Sequence, residues 1–137
     1  MAKRDPQVRE LAVHIVHAQP GKNWFGEIRA IFEFVRANVR YTLDTHDIEV
    51  LQDPLVTVQL GAGDCDDMAI LLASLLECVG HPCRFVALSF DGPENYSHVL
   101  VQTRAAGEGQ WLSLDATEDQ PAGWHPENVQ GAMVISA

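Results

Sequence analysis

Cysteine is scarce in this chain, with three in 137 residues, and an odd number makes no disulfide framework. Cys78 and Cys83 are close enough in sequence to suggest a bridge or half a metal site, but no second pair accompanies them. Two small buried side chains are the simpler reading. Basic residues are scarce too: 9 Lys and Arg stand against 19 Asp and Glu, a net charge of -10. That balance excludes a general nucleic-acid surface and an anionic membrane as partners. Long apolar runs are missing, and Met68 to Leu76 is too short to span a bilayer. The opening Met1-Ala2-Lys3-Arg4-Asp5-Pro6 lacks the apolar centre of a signal peptide, so the expectation is a cytoplasmic protein. No repeat, linker or low-complexity tail breaks the chain.

What is present is enough apolar material for a core. Hydrophobic residues make up 47% of the sequence, which excludes a disordered chain and fits one domain over residues 1–137. Three parts are expected: a helical part over 1–40, a core over 41–117, and a closing loop and strand over 118–137. Pro6 suits a first helical turn, and Val8, Leu11, Ala12 and Ile15 follow as a stripe ended by Pro20-Gly21. Asn23 caps a second helix, with Trp24, Ile28, Ile31, Phe32, Val35 and Val39 on its inner face. Glu27, Arg29, Glu33, Arg36 and Arg40 form its solvated side. Tyr41-Thr42-Leu43 reads as a short strand. The segment from Asp44 to Leu60 shows no period and contains Asp53-Pro54, so it reads as a long loop of the kind that carries function.

The chain is organised around the stretch from Gly61 to Leu76. A glycine-rich turn delivers Cys65 to the first turn of a very apolar helix, with Asp64 as N-cap. Large apolar residues recur at Met68, Leu71, Leu72, Leu75, Leu76 and Val79, with alanines between them, so the helix is buried on most sides. Unpaired backbone N–H groups at its start and the helix dipole favour a thiolate at Cys65. Asp64, Asp66 and Asp67 oppose this as charges of the wrong sign, unless they cap the helix or meet Arg84 or Arg40.

Gly80-His81-Pro82 ends the helix. Cys83 to Phe90, Ser97 to Thr103, Gln110 to Asp115 and Val129 to Ile135 then read as strands, the last interrupted by Gly131. Helices followed by a mainly antiparallel sheet make an α+β fold. If the turn between the middle strands centres on Ala106-Gly107, His98 lies opposite Asp115, Leu100 opposite Ser113 and Gln102 opposite Trp111. Opposed side chains share a face roughly 4.5–5.5 Å apart at Cβ. An imidazole and a carboxylate are thus side by side, which is what a cysteine nucleophile needs: a base, and a group to orient it.

Gly63-Asp64-Cys65, the helix ending at Gly80, the strand opening at His98 and Trp111-Leu112-Ser113-Leu114-Asp115-Ala116-Thr117 together resemble the transglutaminase-like superfamily, most of all its small stand-alone bacterial and phage-type members. The resemblance runs from about Tyr41 to Thr117. It implies a papain-like core, with the cysteine-bearing helix packed on the sheet and Cys65 as nucleophile. It further implies His98 as general base and acid and Asp115 as its orienter, in acyl transfer from an amide or ester of a peptide or protein. Gln59 stands six residues before Cys65, the offset at which papain-like enzymes carry a side-chain oxyanion donor; a plain loop glutamine is its other reading.

Each residue alone has a simpler account: packing for Cys65, a satisfied polar group for His98, a turn former for Asp115. Asp44, His46 and Asp47, with His14 and His17, show no metal-binding spacing and read as solvated groups, so no metal or cofactor is expected. His81 and His125 are given no role. Trp111 covers the hairpin, while Trp24 and Trp124 either wall a cleft or pack. The leading expectation is a cysteine peptidase or amidase. A non-catalytic binding or assembly module of the same fold, such as a phage-particle component, and a cross-linking transamidase are its alternatives.

Overall fold

The computed structural model describes residues 5–17, 23–43 and 52–136. Among these residues four α-helices and six strands follow in the order α1 (Pro6–His17), α2 (Trp24–Asn38), β1 (Arg40–Tyr41), α3 (Pro54–Leu60), β2 (Ala62–Gly63), α4 (Cys65–Cys78), β3 (Cys83–Ser89), β4 (Tyr96–Thr103), β5 (Leu112–Leu114) and β6 (Gly131–Ser136). The long strands form one antiparallel sheet in the order β5-β4-β3-β6, and β1 pairs β2 in parallel. The α+β expectation holds, as does helix α4 against the sheet. Asp44, His46, Asp47 and the Pro20-Gly21 stop lie outside the described residues.

Helix α4 is the centre of the core. Its period is obscured because it is buried nearly all round, from Asp67 through Met68, Ala69 and Leu71 to Leu76. Leu71, Leu72, Leu75 and Leu76 are essentially inaccessible, and each contributes about 1.5–3 kcal/mol by leaving water. Val8 and Ala12 of α1 and Ile28, Ile31, Phe32 and Val35 of α2 close on it from the helical side, with Val101 and Leu114 from the sheet. Asn23 caps α2 by accepting from Gly26 N at 2.9 Å. Trp24, expected on the inner face, is instead exposed at the first position of that helix.

The loop expected from Asp44 to Leu60 is corrected over its second half, where Pro54–Leu60 is helical. Asp53-Pro54 is there a helix start rather than loop punctuation: Asp53 Oδ1 accepts from Leu55 N at 3.0 Å, and Pro54 occupies the first helical position, where its missing N–H costs nothing. Gly61 closes α3 in the left-handed region, φ 66, a conformation glycine adopts freely. Gly63 is needed for a different reason, since a Cβ there would stand 2.8 Å from Asp67 Cβ. Gly63→Ala is therefore expected to lower the free energy of urea unfolding by about 1–3 kcal/mol, and an unchanged midpoint would show that the approach is not tight. Gly131 begins β6 rather than interrupting it, because its backbone passes the Pro93 carbonyl at a distance that admits no side chain.

His81, expected to be idle, is a buried clamp. Its Nδ1 accepts from Ala106 N at 2.9 Å, so Nε2 carries the proton and donates to Glu27 Oε1 at 2.9 Å. Glu27 is accordingly not part of the solvated side of α2.

Candidate active site

Cys65 is the first residue of α4, delivered by β2 and held there by a reciprocal cap. Asp64 Oδ1 accepts from Asp67 N at 2.9 Å, and Asp67 Oδ2 accepts from Asp64 N at 3.1 Å. Asp67 also accepts from Gln52 N and Gln52 Nε2, each at 2.8 Å. Two of the three aspartates beside the cysteine are therefore spent on the helix start. Burial, with Asp67 and Asp66 nearby, raises the Asp64 carboxyl above its ordinary range, although the hydrogen bond from Asp67 N works the other way. Neither meets Arg84, which donates to Gln102 Oε1 at 2.8 Å and lies over the Trp111 ring.

On the sheet, His98 Nε2 stands 2.7 Å from Asp115 Oδ2. The strand register that was expected to bring them together is corrected by two residues: Gln102 lies opposite Ser113 and Val101 opposite Leu114. The connection is not a two-residue turn. It includes a 3-10 turn over Ala105–Gly107, with Ala106 at φ 48. A shift of two keeps every side chain on its face, so His98 and Asp115 still meet, as a diagonal rather than a directly opposed pair. Asp115 is 2% exposed. Its other oxygen accepts from Thr117 N at 3.1 Å and from Thr117 Oγ1 at 2.7 Å. The turn-forming reading and the orienting reading of Asp115 thus describe its two oxygens.

The Cys65 thiol neighbours the His98 ring closely enough to raise its value. With Nε2 committed to Asp115, Nδ1 is the nitrogen left for it. Burial disfavours the charged ring, but the hydrogen bond to Asp115, the neighbouring Cys65 thiol and the charges of both outweigh it and push the His98 value up to about 10. Burial likewise opposes the Asp115 charge, and the bonds from His98 and Thr117 prevail and hold that carboxyl below its ordinary range. Cys65 is half-buried and lines a small cavity with Met68, Leu72, Val99, Leu114 and Asp115. It is not sealed in. Cys83, by contrast, is buried, its thiol pushed up to about 12 by burial and only partly offset by the side chain of Thr103. None of the three cysteines is in a disulfide.

Gln59 sits exposed on α3 and is not among the residues lining the Cys65 cavity. Thr117 and Tyr41 were not singled out in the sequence. The Asp-x-Thr spacing was a usable signal for the first, since it is an Asx turn; for Tyr41 there was none beyond its place in β1. Among the described residues no group of three or more His, Cys, Asp or Glu is placed to hold a metal ion. No helix among them is long and apolar enough to cross a membrane.

Solved structures share this fold, three of them as follows. LapG of Legionella pneumophila superposes with a TM-score of 0.68 at 18% identity, over 96% of this chain and 84% of its own. A candidate cysteine protease of Cytophaga hutchinsonii gives 0.63 at 17%, over 96% of this chain and 46% of its own. A candidate protease of Parabacteroides distasonis gives 0.62 at 14%, over 84% of this chain. The present chain spans only 23% of that last protein. No curated protein matches the sequence at a significant level. The profile of the Transglutaminase-like superfamily matches from residue 9 to residue 116, from α1 past the Asp115 turn, and the chain belongs to that superfamily.

Proposed function

We propose that this chain is a cysteine-dependent acyl-transfer enzyme, a peptidase or amidase acting on a peptide or protein, with Cys65 as nucleophile, His98 as general acid and base, and Asp115 as the group that orients His98. The observation that carries this reading is the line Cys65–His98–Asp115, with the thiol beside the imidazole and 2.7 Å between His98 Nε2 and Asp115 Oδ2. Such an arrangement sets both the tautomer and the aim of the ring. The similarity to structures described as cysteine proteases agrees with it.

In the first step the Cys65 sulfur, its proton on His98, attacks the carbonyl carbon and a C–S bond forms. The electron pair of the C=O moves to oxygen. As the tetrahedral intermediate collapses, the C–N bond breaks and His98 gives its proton to the departing amine. Water then attacks the thioester while His98 takes its proton, and the acid leaves as the thiol is restored. An amine in place of water gives transamidation by the same steps. The oxyanion is held by Cys65 N–H and a second donor; the sequence offset alone points to Gln59, which stands exposed and apart from the residues lining the Cys65 cavity.

The test uses two generic reagents. Wild-type chain mixed with p-nitrophenyl acetate is expected to release a burst of p-nitrophenolate that Cys65→Ala lacks. With iodoacetamide it is expected to label at Cys65 at about pH 6 faster than glutathione does, the ordinary cysteine value being about 8.5. Labelling no faster than glutathione, with no burst, would favour the binding or assembly module that keeps the fold without the chemistry.

A further inference from the structure

The second oxyanion donor is left open by the triad, and the structure contains a hydroxyl well placed for the task. Strand β1 pairs with β2 so that Tyr41 stands opposite Gly63, and Thr42 N donates to Gly63 O at 2.9 Å. Tyr41 is thereby fixed beside the last residues before Cys65. It also lines a groove of about 370 Å³ that runs between the end of α2 and the turn at 116–119. Ala116 and Thr117 belong to both that groove and the Cys65 cavity, so the groove that Tyr41 lines adjoins the cavity of the thiol, whose charge is among those felt by the phenol.

The ring is 38% exposed, and among the described residues no hydrogen bond engages its hydroxyl. Four acidic groups surround it. Burial first, and then the charges of Cys65, Asp64, Asp115 and Glu118, hold the phenol above its ordinary value of 10.0. It therefore keeps its proton at neutral pH and is a donor there. With no acceptor engaged, this O–H is unspent in the resting site. It gains when a neutral carbonyl, the group that turns into an alkoxide, arrives between it and the thiol.

We infer that the Tyr41 hydroxyl donates to the carbonyl oxygen of the bound acyl group and, with Cys65 N–H, holds the oxyanion, in place of Gln59. This rests on the acyl-transfer reading above and adds a residue that the triad does not contain. In the reaction with p-nitrophenyl acetate, sulfur bonds to the acetyl carbon and the carbonyl oxygen takes the negative charge under Tyr41. The C–O bond then breaks to expel p-nitrophenolate and leave a thioester. Alkylation by iodoacetamide is a single displacement at a saturated carbon and develops no such oxygen.

The two reagents together separate the possibilities. Tyr41→Phe keeps the ring and removes only the donor. It is expected to slow acylation by p-nitrophenyl acetate about 10²-fold, while leaving the iodoacetamide rate, its pH profile and the melting temperature as in wild type. Gln59→Ala is expected to leave both reactions unchanged. Acylation unaffected by Tyr41→Phe, or slowed only by Gln59→Ala, overturns the assignment. So does an equal loss of acylation and alkylation, which would place Tyr41 on the thiol instead of on the substrate. Wild type that neither acylates nor labels quickly is a different failure, that of the acyl-transfer reading itself, and it takes this inference with it.

Discussion

Asp115→Asn is expected to lower the rate of acylation by p-nitrophenyl acetate about 10³–10⁴-fold at neutral pH, with the fold retained. The reason lies in the two oxygens of this carboxylate. Oδ1 accepts from Thr117 N and Thr117 Oγ1, a turn that an asparagine oxygen can also make. An amide that keeps those bonds must present its NH₂ to His98 Nε2, where a carboxylate oxygen now stands at 2.7 Å. Two donors cannot share that line. Nε2 must then give up its hydrogen, the proton moves to Nδ1, and the nitrogen facing sulfur is no longer a base.

The variant also has a signature in stability. His98 is raised to about 10 from 6.5, so its contribution is complete below the unfolded value and fades as pH rises through about 10. Asp115 is lowered from 3.8, so its contribution is present above that value and is lost as pH falls below it. Both are whole only between 3.8 and 6.5. The stability gap between wild type and Asp115→Asn should be widest in that window and narrow on the alkaline side. Urea titrations across pH check the sign, and full acylation activity in the variant would remove Asp115 from the mechanism.

Parity explains why this site could be seen before the fold was known in detail. The cysteine helix was legible because its cap, its acidic first turn and its apolar residues all agree. His98 and Asp115 were paired from a register wrong by two residues, and the error did no harm because side chains alternate with a period of two. A slip of one would have sent them to opposite faces. What stayed hidden did so for local reasons. Helix α3 carries Val56, Thr57 and Val58, β-branched residues that are poor helix formers, and buried Pro54 and Thr57 hold it in place through tertiary contacts. The role of His81 depends on Glu27 and Ala106, residues far from it in sequence. Tyr41 became visible only once β1 was seen to pair with β2.

The aspartates around the nucleophile pose the remaining question, and Asp67 answers it with the second large effect. It is buried beside a thiol that must ionise, a costly place for a carboxylate, yet it accepts from Gln52 N, Gln52 Nε2 and Asp64 N. Those bonds tie the chain ahead of α3 to the turn that presents Cys65. Asp67→Ala leaves three donors without acceptors in a site that admits little water, at about 1–3 kcal/mol each when nothing replaces the partner. Partial relaxation brings the expected loss of unfolding free energy to about 3–5 kcal/mol, a large share of the roughly 5–15 kcal/mol a domain possesses. Asp67→Asn keeps one acceptor and sets an NH₂ against the remaining donors, so it should be destabilised less but still measurably. If Asp67 instead tuned the thiol, the asparagine variant would label faster with iodoacetamide at unchanged stability, because a repelling charge would be gone. Urea unfolding and labelling rates on the same two variants decide between them. The hydrogen bonds predict that the unfolding midpoint moves while the labelling rate of the folded protein does not rise.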